Sequence, residues 1–388
     1  MNYKIQKICV IKTTMNEEEQ YYSYRDKLIF QVLLLQNKKI LIIMNMRNIQ
    51  ILNQNTFKLF STINNDNSFS FFSATQLKLS GHIACCQTNG DISIYKVKPS
   101  ISQKIQTISV LNSKTIYRIK EITNNLLVSC QDEKSLIFYE YNNNRLNISD
   151  KLKQDCFIES LQPTKNMDVL LYGNFFFPKY NYKIILFNAE NKKKIKTIVS
   201  KKQNGTIYEP FCFLSKNIIA IIIFIDIFLV DVNNDYSLIT KFEDKEHYWI
   251  NSICAINFNI IITGDDNGLL HLLYFDDKKN IITKIDEYII YECNEKDDPY
   301  TCEKKKKAIS LVKLNSNSFL LGGGGKPNYL LNAFNIKNLK AEETIVKNTK
   351  KQQFKKEEED NICNICFIFY ILILFCLIRY FNIVKYFN

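Results

Sequence analysis

Histidine and tryptophan are scarce. In 388 residues there are three of the first, His82, His247 and His271, and one of the second, Trp249. Three scattered imidazoles supply neither a two-His metal pattern nor a Ser-His-Asp set, so no catalytic residue is assigned and the chain is not expected to be an enzyme. No Cys-Cys-His-His spacing accompanies the 12 cysteines, and neither metal nor cofactor is expected. No leader is expected, because Lys4, Gln6, Lys7 and Lys12 break up Met1 to Thr14 before it reaches the apolar core of a signal peptide. The main body is therefore expected in the cytoplasm with its thiols reduced. Cys85, Cys86, Cys130, Cys212 and Cys254 fall inside expected strands, where a free thiol packs as a small hydrophobe.

There is no long basic arm. The net charge of +12 arises from 51 basic and 39 acidic side chains spread along the chain, a weak pull toward acidic surfaces and a poor case for nucleic acid. With 46% apolar and 23% charged residues, neither wholesale disorder nor a polytopic membrane protein fits.

What the chain does have is a repeat, clearest in Ile260 to Asp276. An apolar run, a turn at Asp266-Asn267-Gly268 and a second apolar run end on Phe275-Asp276. Two short apolar runs around Asn-Gly mark a β-hairpin, since both residues tolerate the positive φ that a two-residue turn demands. An aromatic or apolar residue followed by a polar one recurs at Leu52-Asn53, Tyr95-Lys96, Tyr139-Glu140, Phe187-Asn188, Val230-Asp231, Phe275-Asp276 and Phe334-Asn335. The steps run from 43 to 48 residues, with a last one of 59. Several short strands per step of this size make one propeller blade, and seven units are counted. Ile218 to Val232 is nearly all apolar, yet it is short for a membrane span and contains Asp226; the repeat phase puts two buried strands there.

On these markers the chain resembles a divergent WD-repeat β-propeller over residues 25–348. Aromatics stand in for the family's Trp at Tyr95, Tyr139, Phe187, Phe275 and Phe334, and the acid is kept at Val230-Asp231 and Phe275-Asp276. Gly81-His82 precedes the second strand of its unit instead of the first, so the family's buried His-Asp network is expected to be mostly absent. The resemblance implies an all-β, seven-bladed propeller closed by a strand from the N-terminal segment 1–24, with Ile5 to Thr13 and Leu339 to Val346 competing for that position. It also implies a non-catalytic scaffold for other proteins, with no small-molecule substrate.

In such a fold the turns between second and third strands share one face with the connections between blades. Two loops on that face stand out. Phe175, Phe176, Phe177, Lys179 and Tyr180 put aromatics and a cation together, and the insertion Glu287 to Lys307 carries Lys304, Lys305, Lys306 and Lys307. Tyr248 and Trp249 lie in the neighbouring connection. Aromatic anchors with a basic rim are the residue types of protein-protein hot spots. Other motifs reduce to turns: Gly322 to Lys326 lacks phosphate-loop spacing, and Asp265-Asp266 sits at a hairpin tip.

After the propeller comes a charged linker, 349–361, then the apolar run Ile362 to Ile378 and a short tail, 379–388. A helix of that run spans about 26 Å, slightly less than a hydrocarbon core. It resembles a tail anchor, one that would hold the propeller at the cytoplasmic side of an intracellular membrane. The other reading of the run is an interaction helix of a soluble complex subunit.

Overall fold

The computed structural model describes residues 3–12, 29–44, 48–64, 69–110, 115–131, 134–165, 167–175, 181–202, 210–243, 249–290, 308–323 and 330–338. Residues 4–337 form one compact unit; the other, Met1–Tyr3 with Asn338–Asn388, lies almost wholly outside the described residues, as do the linker and Ile362 to Ile378.

The described residues fold into seven antiparallel sheets, each of four strands running from the inside of a propeller outward. Blade 1 comprises Ile29–Leu35, Lys39–Met44, Asn48–Asn53 and Leu59–Asn64, and blade 2 Phe71–Gln76, Ile83–Gln87, Asp91–Lys96 and Gln103–Ser109. Blade 3 comprises Ile116–Thr123, Leu126–Gln131, Ser135–Asn142 and Arg145–Lys153, and blade 4 Phe157–Pro163, Asp168–Phe175, Asn181–Asn188 and Lys193–Lys202. Blade 5 has a short inner strand, Phe211–Phe213, followed by Ile218–Ile223, Asp226–Asp231 and Ser237–Glu243. Blade 6 runs Ile250–Ala255, Ile260–Asp265, Leu269–Asp276 and Ile281–Ile289. Blade 7 takes Ala308–Lys313, Ser318–Gly323 and Leu330–Asn338, and its outer strand is Tyr3–Lys12 from the opposite end of the chain. Ile5 N also donates to Asp286 Oδ2 of blade 6 at 2.7 Å, so the N-terminal strand is held from two blades. Ser100–Ile101 adds a short parallel strand to the outer edge of blade 1.

The middle strands are buried on both faces because each sheet is packed between two others. That explains Ile218 to Val232: Ile218–Ile223 and Asp226–Asp231 pair as a hairpin buried almost throughout, and Asp226 meets Lys241 Nζ at 3.3 Å. Outer strands alternate instead, as in Arg145–Lys153. The apolar core is accordingly a series of wedges between neighbouring blades, such as Leu320, Leu331, Ile40 and Ile42 between blades 7 and 1. At two of these wedges the backbone comes close enough to require glycine. A Cβ on Gly264 would stand 2.5 Å from Ala308 Cβ, and one on Gly322 2.6 Å from Ile29 Cγ2.

The recurring markers end, or nearly end, the third strands, and their polar member has a structural task. Asn53, Asn188, Asp231 and Asp276 each accept through Oδ1 the amide two residues on, at 2.9, 3.1, 2.9 and 3.1 Å. These are Asx turns that start the connection to the outer strand.

A second repeated device lies in the inner strands. Six of seven carry a β-bulge, between Ile29 and Gln31, Phe71 and Ser73, Ile116 and Arg118, Ile158 and Ser160, Ile250 and Ser252, and Ala308 and Ser310. The residue after the bulge reaches a neighbouring blade in four of them, the next one in three and the preceding one for Arg118. Ser310 Oγ accepts from Val32 N at 3.0 Å, Ser252 Oγ donates to Ala308 O at 3.2 Å, Gln31 Oε1 accepts from Ala74 N at 2.8 Å, and Arg118 Nη1 donates to Phe72 O at 3.5 Å. In blade 5 the equivalent place falls to Pro210, whose carbonyl accepts from Ile222 N at 2.8 Å.

Ser310→Ala would leave the Val32 N–H buried without its acceptor, and a cost of about 1–3 kcal/mol in urea unfolding is expected. The exposed Ser109→Ala should stay within about 0.5 kcal/mol of the parent. Equal effects of the two would rule out a latch at Ser310.

Candidate functional site: the loop face around Trp249

Trp249 immediately precedes the inner strand of blade 6 and is 47% exposed, although its backbone is fixed on both sides. Trp249 O accepts from Asp266 N at 3.0 Å, and Ile250 N donates to Phe224 O at 3.0 Å, so the residue is tied to the loop-face turns of blades 6 and 5. Its indole meets Phe224 edge to face, with centroids 6.2 Å apart and planes at 87°. Phe224 in turn meets Tyr182 of blade 4 at 5.4 Å, and Tyr182 stacks on Tyr172 at 5.2 Å. An aromatic file thus runs from the buried interior of blade 4 to an indole open to solvent. Pairs of this geometry contribute roughly 0.5–1.5 kcal/mol each beyond area burial.

Phe224 is the keystone of the file. It sits first in the two-residue turn between Ile218–Ile223 and Asp226–Asp231 with φ of 65° and is 3% exposed. A hairpin normally gives that position to glycine, because a bulky side chain in the left-handed region costs on the order of 1–3 kcal/mol. Burial of the ring among blades 4, 5 and 6 offsets the strain.

The neighbouring turn of blade 6 is held by charge. Asp265, with no exposed surface, accepts through Oδ1 from Asn267 N at 2.9 Å and Leu269 N at 2.8 Å, while Oδ2 lies 3.2 Å from His271 Nε2. Glu287 Oε2 stands 3.4 Å from His271 Nδ1 and 2.9 Å from Lys284 Nζ. Asn251 Nδ2 bonds to Asp266 Oδ1 beside them. Only Gly268 takes positive φ here, 75°, so the loop has three residues and Asn267 does not share the role expected of it. His271 is a buried member of a turn-supporting cluster, and Asp265 serves turn amides.

Of the residues chosen from sequence, Trp249 is fully described. Phe175 ends the second strand of blade 4, with its backbone opposite Asn181, instead of lying in the loop. Phe176, Phe177, Lys179, Tyr180, Tyr248 and Lys304 to Lys307 fall outside the described residues. Glu287, the expected start of an insertion, belongs to the outer strand Ile281–Ile289 of blade 6. Cys85, Cys86, Cys130 and Cys254 are buried, and burial pushes the Cys86 and Cys130 thiols up to about 12, far from the range of a reactive thiolate. Among the described residues no three His, Cys, Asp or Glu side chains gather into a metal-binding group. Sequence reading missed Phe224; nothing but its place between two isoleucine-rich strands marked it. On the opposite face it left His82 unassigned, where Nδ1 lies 2.6 Å from the Tyr141 hydroxyl of blade 3.

Seven four-stranded blades closed by an N-terminal strand define a propeller of the WD-repeat kind. No protein-family model matches the sequence, and no curated protein matches it. Solved structures do match in fold. The structure of U3-55K superposes with a TM-score of 0.64 at 9% identity, covering 85% of this chain and 98% of that one. The crystal structure of the RRP9 WD40 repeats gives 0.64 at 9% identity, covering 86% and 100%. The chain shares the propeller fold of these WD40-repeat structures, and at this identity the likeness speaks for fold alone.

Phe224→Ala removes the keystone and should cost about 3–5 kcal/mol. Trp249→Ala should cost no more than about 1.5 kcal/mol, because it removes one half-exposed edge contact. Urea unfolding of the two variants checks the order; a larger loss for Trp249→Ala would mean that the indole is a core residue.

Proposed function

We propose that this protein is a non-catalytic scaffold that receives other proteins on the loop face centred on Trp249. The observation that carries this reading is an exposed indole on a rigid aromatic base. Tryptophan is enriched among hot-spot anchors, and a preorganised one loses little ordering entropy when a partner covers it. By their place in the order of strands, the sequence connections that contain Phe176 to Tyr180 and Lys304 to Lys307 would add aromatic and basic contacts around the anchor. The pair closest to a catalytic arrangement, Asp265 and His271, is buried with the carboxylate engaged by turn amides, which supports a structural role.

Affinity purification of the full chain beside its Trp249→Ala variant, with quantitative mass spectrometry, tests the anchor. Recovery of the direct partner should fall by at least about thirtyfold, the effect of a hot-spot truncation. Ile281→Ala, an exposed position on the outer strand of blade 6, should leave recovery unchanged. Identical partner sets from all three proteins would overturn the Trp249 reading.

The apolar run Ile362 to Ile378 supports a second element of the proposal, a membrane tether that fixes where the scaffold works. Alkaline carbonate extraction of the full chain and of a version ending at Asp360 should leave only the full chain in the pellet. If both are extracted, the run is an interaction helix of a soluble assembly and the tether is discarded.

A further inference from the structure

The face opposite Trp249 is made by the turns between first and second strands and the connections from third to fourth strands. On blades 1 and 2 its charge is one-sided. From Ile29 to Val110 the sequence holds eight basic residues and two acids, Asp66 and Asp91. By the order of strands, both acids fall in connections of the loop face. Lys38 and Lys78 stand in turns between first and second strands, and Lys58 precedes the outer strand of blade 1. Lys96 ends the third strand of blade 2, Lys98 follows it, and all five lysines are exposed.

Hydrogen bonds join these segments into one surface. Gln36 N donates to Gln76 Oε1 at 2.7 Å and Gln36 Nε2 to Lys78 O at 3.1 Å, which ties the turn of blade 1 to that of blade 2. The connection after Lys98 crosses to the outer strand of blade 1, where Ser100–Ile101 pairs with Ser61 and Thr62 and Ser102 N donates to Thr62 O at 3.0 Å. Aliphatic side chains stand open among the lysines: Leu79 is 65% exposed within its turn, Ile101 64% and Leu59 48%. Blade 3 brings two carboxylates to this side. Glu121 is buried with both oxygens on the Lys78 amide, at 3.2 and 3.0 Å, and Glu140 shares its hairpin with the exposed Arg145.

We infer that this face of blades 1 and 2 docks on an anionic lipid surface. Leucine and isoleucine on loops among lysines have the composition of an interfacial contact: the aliphatic groups enter the headgroup boundary while the ammonium groups stay with the lipid phosphates. Five exposed cations fall within the clusters of about four to eight that an anionic leaflet attracts. Exposed loop residues suit a plane, whereas an acidic peptide is better held in a groove or along a sheet edge. The third strand of blade 7, Leu330–Asn338, ends on the same side, with Ile336 N donating to Asn317 O at 2.8 Å, so the chain that continues to Ile362 leaves from this face. The choice of lipid thus rests in part on the tether proposed above.

Sedimentation of the full chain with phosphatidylcholine vesicles, with and without about 30% phosphatidylserine, in about 0.15 M NaCl tests the face and the tether separately. Binding to neutral vesicles reports the tail, and the excess on anionic vesicles reports the face. That excess should be at least about tenfold in partition coefficient, and Lys78→Gln/Lys98→Gln should abolish it, since each cation near such a surface is worth about fivefold. Leu79→Ser should lower binding to anionic vesicles about fivefold, because the interface takes in part of the leucine side chain. Lys151→Gln/Lys153→Gln makes the same charge change on the outer strand of blade 3, away from this face, and should lower the excess less than about twofold. Equal binding to both vesicle types would overturn the lipid reading and leave the tether standing. Equal losses in the two double variants would reduce the effect to net charge and overturn the face. An excess on anionic vesicles without binding to neutral ones would remove the tether alone. If anionic vesicles gain nothing and a poly-glutamate peptide binds in a way that Lys78→Gln/Lys98→Gln weakens, the face receives an acidic protein segment and the lipid is discarded.

Discussion

Everything in this propeller depends on sheets packed face to face around a ring, each one covered by two neighbours. Covering both faces calls for apolar side chains at most positions of the middle strands, and it makes the ring close: a sheet without a neighbour would expose an apolar face. Closure is achieved by joining the two ends of the described chain, with Tyr3–Lys12 paired to Leu330–Asn338. The inner latches add direction to the non-directional apolar wedges. Ser310 and Val32 are bonded across 278 positions of sequence, and the bond fixes how far one inner strand can slide past the next.

This constraint also decides what the sequence shows and what it hides. The apolar-polar markers were legible because each falls at or near the end of a third strand, and in four of the seven the polar member starts a local Asx turn, an interaction that leaves a two-residue trace. Burial on both faces made Ile218 to Val232 look like a membrane run, and the phase of the repeat, together with Asp226, was enough to resolve it into a hairpin. The latches were illegible, since a serine two residues into a strand is unremarkable until a bulge turns it toward a chain segment hundreds of positions away. Phe224 was hidden for a different reason. Glycine marks a tight turn, and a phenylalanine in that place gives no such mark; its strain is offset by rings on blades 4 and 6 that local sequence does not bring near.

The same logic explains why the candidate site was found only in part. Trp249 could be singled out as the one tryptophan in a connection on the loop face. Its rigidity could not, because that comes from two backbone bonds and an edge-to-face contact supplied by two other turns. The acidic pair Asp265-Asp266 was rightly assigned to turn chemistry from its place at a hairpin tip. That Asp265 also holds His271, and that Glu287 approaches the other ring nitrogen, required the outer strand of blade 6 to be in place.

Blade 5 connects the central channel, which Pro210 and Phe211 help to line, to the loop face. Pro210 cannot donate a backbone hydrogen bond, and blade 5 carries no bulged latch residue at the channel. At its loop-face end the same blade is held by aromatic packing, with Phe224 wedged between Tyr182 and Trp249. A blade anchored by its outer packing and relieved at its inner edge can leave room in the channel without loosening the surface above it. The channel and the exposed indole therefore meet in one blade, in which Pro210 stands where the other six inner strands carry a bulge and aromatic packing holds the turn above it.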